Sequence, residues 1–366
     1  MKNKVLNVFY NGRLVGRLAE TPERVLAFEY DTDWLRDGFS ISPFHLPLGK
    51  KVFIANKKPF DGVFGIFNDS LPGGWGQILF NRILKKNKID PSSVSVLDRL
   101  AIVGRNGIGA LEYRPEEKLE RISEKSDLDD LAKEIEHIVH NNEYSELLEE
   151  LFVSGGSSGG ARPKVYRKID GVEWLIKFRA GIDPKDIGKQ EFKYMAAAKD
   201  AGLIVPETKL FNGKYFATER FDRKPNGEKV FMISASGLLE ISHDALILDY
   251  NDLMQATFKL TRDKREVEKM FRLMCFNVFA HNRDDHAKNF SFLYDDEKWQ
   301  VSPAYDLVYS PGIGITAEHA TMIDGNGKAP NEENILSVAK KADISVRRAN
   351  EIIDDVKTAI KKAKLL

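Results

Sequence analysis

An α+β fold assembled from two or three parts is the class this sequence predicts, on three observations. Short strand-like runs and Gly-rich turns crowd the first 110 or so residues, a second strand-rich stretch follows the glycine-rich segment "SGGSSGGARPK", and helical periodicity takes over beyond Asp222. A chain of 366 residues that is 42% hydrophobic and 30% charged can bury a sizeable core and is long for a single domain.

In chain order, "VLNVFYNGRLVGRL" and "RVLAFEY" alternate apolar and polar residues around Asn-Gly, which predicts strands and a tight hairpin. "GWGQILFNRILKKN" predicts a helix after Pro-Gly-Gly, and the first part should end near residue 112. From about 115 to 152 the pattern is acidic and helical, stopping at the glycine-rich segment. "KVYRKIDGVEWLIKF" predicts a hairpin turning at Asp-Gly, with Lys177 on its second strand. A helix closed by Gly202 and the strands of "TKLFNGKYFATERFD" complete a second part, residues 113–224, ahead of a mainly helical part, residues 225–366. There, Asp263 and Glu266 have capping-box spacing, and Val267, Met270, Phe271, Met274 and Val278 follow on one face. That helix should be buried and should deliver "HNRDDH" at its C-terminal end. A last amphipathic helix should begin near Ser345, with Ala349, Ile353, Val356 and Ile360 on one face.

Composition excludes several classes. Lys plus Arg and Asp plus Glu both number 55, so no global field draws the chain to nucleic acid or to an anionic membrane. The single Cys275 rules out internal disulfides and Cys-based zinc sites, and its apolar surroundings predict a buried thiol in a reducing compartment. No run approaches transmembrane length and the N-terminus lacks the apolar core of a signal peptide, so the expected location is the cytoplasm.

The chemistry concentrates in "FAHNRDDHAKNFSFLYDDEKWQVSPAYDL", residues 279–307. "NFSFLY" and "WQVSPA" flank a polar turn, so they read as an antiparallel hairpin. If Tyr294 pairs with Trp299, Asn289 falls opposite Ala304 and within a residue or two of Asp306. An amide oxygen and a carboxylate form a hard, oxygen-only pair suited to Mg²⁺, which completes its shell with water and substrate phosphates. Asp284 stands five residues before Asn289, the D-x-x-x-x-N spacing of a kinase catalytic loop, in which the Asp receives a hydroxyl proton and the Asn holds metal. Tyr305-Asp306-Leu307 takes the place of the metal-binding Asp motif. Lys177 is placed like the phosphate-binding Lys of that scheme, with Glu191 as an ion-pair candidate on the next helix. The segment from Gly155 to Gly160 has P-loop spacing, but Ala161 occupies the required Lys position, so a P-loop NTPase is not predicted.

In this order "SSGGARPK", "IKF", "ERFDR", "HNRDDHAKNF" and "AYDL" resemble the HipA family of bacterial toxin kinases. "FYNGRLVGRL" and "FGIFNDSLPGGWG" are similar to that family's amino-terminal subdomain, so the resemblance spans most of residues 5–310. It implies a two-lobed, protein kinase-like fold and an ATP- and Mg²⁺-dependent Ser/Thr protein kinase whose target is a protein such as an aminoacyl-tRNA synthetase. By motif position, Asp284 would be the catalytic base with His286 supporting the loop, and Asn289 and Asp306 would be the Mg²⁺ ligands. Lys177 would contact the ATP phosphates, with Ser157, Ser158, Gly159, Gly160 and Lys164 of the glycine-rich segment contributing to nucleotide binding. Glu219 to Phe221 would line the adenine site and Asp222 would meet the ribose. Ser157 would be autophosphorylated: a group of about −2 charge shares a dry pocket with ATP phosphates only against strong repulsion. The implied partner is a HipB-like helix-turn-helix antitoxin, with DNA reached only through it. The loop reads Gly-Ala-Arg-Pro-Lys, whereas the founding toxin has a Gln-Glu pair at the middle positions.

Two other readings use the same residues. Small-molecule and lipid kinases share D-x-x-x-x-N followed by Asp, and a non-catalytic, nucleotide-sensing partner of a DNA-bound antitoxin would keep the binding residues without transfer. Taken singly, Asp284, Asn289 and Asp306 are also ordinary turn residues. Their joint order with Lys177 and the glycine segment favours catalysis.

Overall fold

The computed structural model describes residues 5–105, 107, 109–116, 126–140, 147–156, 159–242, 245, 247–312 and 317–365. The chain divides into two compact units, residues 1–188 with 211–231, and residues 189–210 with 232–366.

The first unit opens on a five-stranded antiparallel sheet formed by β1 (Val5–Tyr10), β2 (Arg13–Glu20), β3 (Leu26–Tyr30), β4 (Val52–Ile54) and β5 (Leu111–Arg114), in the order β4-β3-β2-β1-β5. Asn11 and Gly12 sit at φ 45° and 81°, as a primed hairpin turn requires and as the Asn-Gly pair predicts. β6 (Lys164–Ile169) and β7 (Val172–Lys177) form the second predicted hairpin, turning through Asp170 and Gly171 at φ 52° and 82°. β7 then pairs on its other side with the strand Tyr215–Glu219. Trp75, Leu79 and Ile83 of the helix Trp75–Lys86 bury themselves in the same cluster as Leu131 and Ile135 of the acidic helix and Val165, Trp174 and Ile176 of the hairpin. An apolar stripe at helical spacing thus joins the amino-terminal segment to the hairpin in one core.

The second unit is mainly helical. Its central helix, Lys264–Phe279, buries Val267, Met270, Phe271, Met274 and Val278, the face that the spacing predicts, and packs on the helices Tyr250–Thr261 and Val346–Ala363. Cys275 lies in this core at 0% exposure, and burial pushes its thiol well above the usual range. The last helix is capped by Ser345 and turns Ala349, Ile353, Val356 and Ile360 inward, as expected.

The N-terminus of the central helix differs from expectation. Asp263 caps the amide of Arg265, but Glu266 does not close a capping box. One of its oxygens accepts from the amide of Val301 at 2.8 Å and the other from Lys269 at 2.6 Å. A carboxylate that can satisfy a buried strand amide has a better use than an exposed helix end. Among the described residues, no helix is long and apolar enough to cross a membrane.

Candidate functional site

The first unit carries the glycine-rich segment and the Lys177 strand. The helix Leu148–Gly155 ends where the glycines begin, and Gly156 donates its N–H to Phe152 O at 2.7 Å. Ser157 and Ser158, expected to bind nucleotide and, for Ser157, to accept phosphate, lie outside the described residues. On the far side, Gly160 is left-handed at φ 77°, and a Cβ there would sit 2.7 Å from Lys164 Nζ. That ammonium donates to Gly159 O at 2.7 Å. Lys164 and Lys177 are direct partners across the hairpin. Opposed residues of an antiparallel pair project from one face with Cβ atoms about 5 Å apart, and like charges so placed repel. Two lysines beside a glycine segment therefore build a positive potential suited to an anion.

The glycine segment is also held from the amino-terminal side. Trp75 donates its backbone N–H to Gly160 O at 2.9 Å, just after Gly74 at φ 50° and ψ −115°. A Cβ on Gly74 would stand 2.1 Å from that same oxygen. Gly74→Ala is expected to cost about 2 kcal/mol or more, since it adds a forbidden backbone conformation to a backbone clash. Urea unfolding checks this: a midpoint equal to that of the parent chain would exclude the contact.

Glu219 ends the strand beside β7, opposite Trp174, and Phe221 follows half-buried. Asp222 is 6% exposed, and its carboxylate is gripped by two arginines. Arg220 donates to it through Nε at 2.9 Å and Nη2 at 2.6 Å, and Arg223 through Nη1 at 2.8 Å. Burial opposes the charged form, but the two guanidinium groups prevail and hold the acid below the usual carboxylate range. A carboxylate offers about four acceptor sites, so the forks leave room for a further donor.

The second unit carries the other candidates. The central helix ends at Phe279 and delivers residues 281–289 as expected, with the short 3₁₀ turn Ala287–Asn289 closing the loop. Asn289 reaches back and donates Nδ2 to Asp284 O at 2.7 Å, which is what the five-residue spacing accomplishes. Only the amide nitrogen can serve a carbonyl, so the oxygen is the atom left to grip a cation. His286 accepts Lys288 N–H on Nδ1 at 3.3 Å, which puts its ring proton on Nε2, 3.9 Å from an Asp284 oxygen. Asp284 stays 48% exposed.

The hairpin that follows has the expected register, with Tyr294 opposite Trp299. Its turn is tighter than the sequence suggests: Asp295 pairs with Lys298, and Asp296 and Glu297 make the turn at φ 47° and 59°. Past Ser302, whose N–H still reaches Ser291 O at 2.9 Å, the second strand leaves the ladder, and Ala304 donates its N–H to Ile204 O at 2.8 Å. Convergence with the loop comes instead from a side chain. Tyr305 donates its hydroxyl to Lys288 O at 2.8 Å and takes the Ser291 hydroxyl at 2.6 Å, docking the residue before Asp306 on the residue before Asn289. Asp306 itself is left-handed at φ 57°, a conformation Asp tolerates better than most residues.

The structure therefore gathers Asp284, His286, Asn289 and Asp306 in one unit, and Gly159, Gly160, Lys164, Lys177, Glu219, Phe221 and Asp222 in the other. Glu191 lies on the helix Ile187–Asp200 and is 3% exposed. The donor chemistry of Asn289 and Asp306, one amide oxygen and one carboxylate, suits Mg²⁺. Sequence reading missed Tyr305 as the tie and Asp285 as a buried anchor. A tyrosine one residue before a candidate ligand gives no hint of which carbonyl it will find.

Comparison with known proteins confirms the fold class. A chain of the solved Shewanella oneidensis MR-1 toxin–antitoxin system HipA, HipB and its operator DNA superposes with a TM-score of 0.72 at 18% identity, covering 99% of this chain and 91% of that one. The architecture is thus α+β, two-lobed and protein kinase-like. The family model for the HipA-like C-terminal domain matches residues 156–364 and that for the HipA N-terminal domain matches residues 6–114, so the chain belongs to the HipA family. Among curated proteins, "Putative kinase Y4mE" of Sinorhizobium fredii is 26% identical over 84% of this chain and 78% of its own length. "Putative kinase Y4dM" of the same organism is 24% identical over 52% of this chain and 51% of its own length.

Proposed function

We propose that the chain is an ATP- and Mg²⁺-dependent Ser/Thr protein kinase, the toxin of a HipA/HipB-like pair acting in the cytoplasm. The observation that carries this reading is the loop closed by Asn289 on Asp284 O, with Tyr305 tying the Asp306 segment to its end. In it, Asp284 accepts the proton of the attacking hydroxyl at its carboxylate, and His286, capping the 3₁₀ turn, keeps the loop in shape. Asn289 and Asp306 would hold Mg²⁺, which when bound neutralises charge on the ATP phosphates. Lys164 and Lys177 receive those phosphates, with backbone N–H groups of Ser157, Ser158, Gly159 and Gly160. Glu219 and Phe221 border the adenine, and Asp222 meets the ribose through the acceptor capacity its arginines leave. The functional parts are an amino-terminal subdomain, 1–112, a small lobe, 113–224, and a helical lobe, 225–366. Transfer then rests on positioning and charge neutralisation.

The partner in this reading is a HipB-like helix-turn-helix antitoxin, through which DNA is reached, and the substrate is a protein, of which an aminoacyl-tRNA synthetase is one. The kinase-named relatives support phosphoryl transfer, and the HipB and operator DNA of the superposed complex support the antitoxin partner. Incubation of the purified chain with Mg-ATP should place phosphate on Ser157, read by mass spectrometry. Label confined to other residues removes the autophosphorylation claim, and labelling of metabolites but no protein removes the protein-kinase one.

A further inference from the structure

Asp284 and Asp285 are neighbours with opposite fates: the first is half-exposed, and the second has 0% exposure. Both oxygens of the buried carboxylate are engaged. Its Oδ2 accepts from the Tyr250 hydroxyl at 2.9 Å and lies 3.0 Å from His319 Nδ1, and its Oδ1 accepts from Thr321 N at 3.2 Å. The Thr321 hydroxyl donates to Asp285 O. A carboxylate only accepts, so Nδ1 carries the proton. His319 is 3% exposed, which makes this a desolvated pair whose loss leaves a buried charge without its partner.

The pair closes a wider frame. Tyr250 in turn accepts from Asn277 Nδ2 at 3.0 Å, and Asn277 Oδ1 accepts from Asn282 Nδ2 at 2.9 Å, so both ends of the stretch 282–285 hang on two helices. Burial and the Asp285 carboxylate push the Tyr250 phenol up, which keeps it a donor at every working pH. On the opposite side, Ala320 donates to Arg283 O at 3.0 Å, and Arg283 Nη1 donates to Ala317 O at 2.7 Å. The loop bearing Asp284 is therefore fastened on both sides of that residue, at Arg283 and at Asp285, to residues 317–321.

We propose that Asp285 and His319 form a positioning clasp that fixes the Asp284 carboxylate for proton transfer by locking its loop to residues 317–321. The catalytic part rests on the kinase reading above, whereas the clasp itself does not. Asp284 is half-exposed and its neighbour fully buried, so anchoring the second aspartate limits where the backbone can present the first.

The test is made on the full chain with His319→Leu, His319→Asn and His319→Gln. An Asn amide puts its nitrogen where Nδ1 was, while a Gln amide puts it at the Nε2 position, away from Asp285. His319→Leu should lower kcat at least tenfold while KM for ATP shifts less than threefold, and should speed amide exchange in residues 283–289. His319→Asn should return kcat to within threefold of the parent and His319→Gln should not. A kcat for His319→Leu within twofold of the parent, or loop exchange left unchanged, overturns the proposal. If His319→Leu does not fold, equal kcat for the Asn and Gln variants overturns it instead. A parent chain that transfers no phosphoryl group at all refutes the kinase reading, and the exchange measurement still decides the clasp.

Discussion

Asp284→Asn is expected to lower phosphoryl transfer by about 10²–10⁴-fold, the range that a positioned general base supplies, while leaving the fold intact. The second half of that expectation comes from the geometry. The Asp284 side chain is 48% exposed, so an amide of the same size can replace its carboxylate without leaving a buried group unsatisfied. The bond that shapes the loop, from Asn289 Nδ2, ends on the Asp284 backbone carbonyl, which the substitution keeps. Initial rates with γ-labelled ATP, paired with a thermal melt, separate the two effects. A variant that labels itself or a protein acceptor at the parent rate would remove Asp284 from the chemistry. The same exchange at Asp285 should instead disturb the fold, because that carboxylate is buried and accepts three bonds.

That contrast marks how much of the site was legible in advance. The Asn-Gly and Asp-Gly turns and the apolar face of the central helix are local properties, and they are found where the residues predict. Which aspartate of the pair faces inward is not local. It is decided by His319 and Thr321, more than 30 residues later, and by Tyr250, 35 residues earlier. Likewise, "PGGWG" reads as a turn before a helix, which it is, but nothing near it says that Trp75 will find Gly160, across the core that the two segments share. Glu266 shows the reverse failure: a sound local rule lost to a strand amide that needed an acceptor. Short-range patterns named the candidate residues, and long-range hydrogen bonds set where they sit.

Asp222→Ala should be the most destabilising of these changes, at about 3–5 kcal/mol, because it strips the partner from charges that stay buried. Arg220 stacks its guanidinium 4.6 Å from the Tyr166 ring centre and gives a two-point fork to Asp222, and Arg223 shares the same carboxylate. Without the acid, two guanidinium groups face one another with little water to separate them. Asp222→Asn keeps the shape and an acceptor, so it should lose less. The effect has a definite pH signature. The folded-state pKa of Asp222 is depressed by its arginines, so the unfolded chain takes up its proton first as pH falls. Its contribution is therefore complete above the ordinary carboxylate value of about 4 and fades as pH drops through the lower folded value. Urea unfolding of the parent and of Asp222→Ala should differ most near neutral pH and converge in acid. A gap that is under about 1 kcal/mol at neutral pH, or that widens in acid, would mean that the triad is not a buried, charge-compensated unit. Because Asp222 is also assigned to the ribose, loss of ATP affinity is informative only in Asp222→Asn at a temperature where its melt shows the chain folded. In the Ala variant, an empty nucleotide site and a collapsing small lobe would look the same.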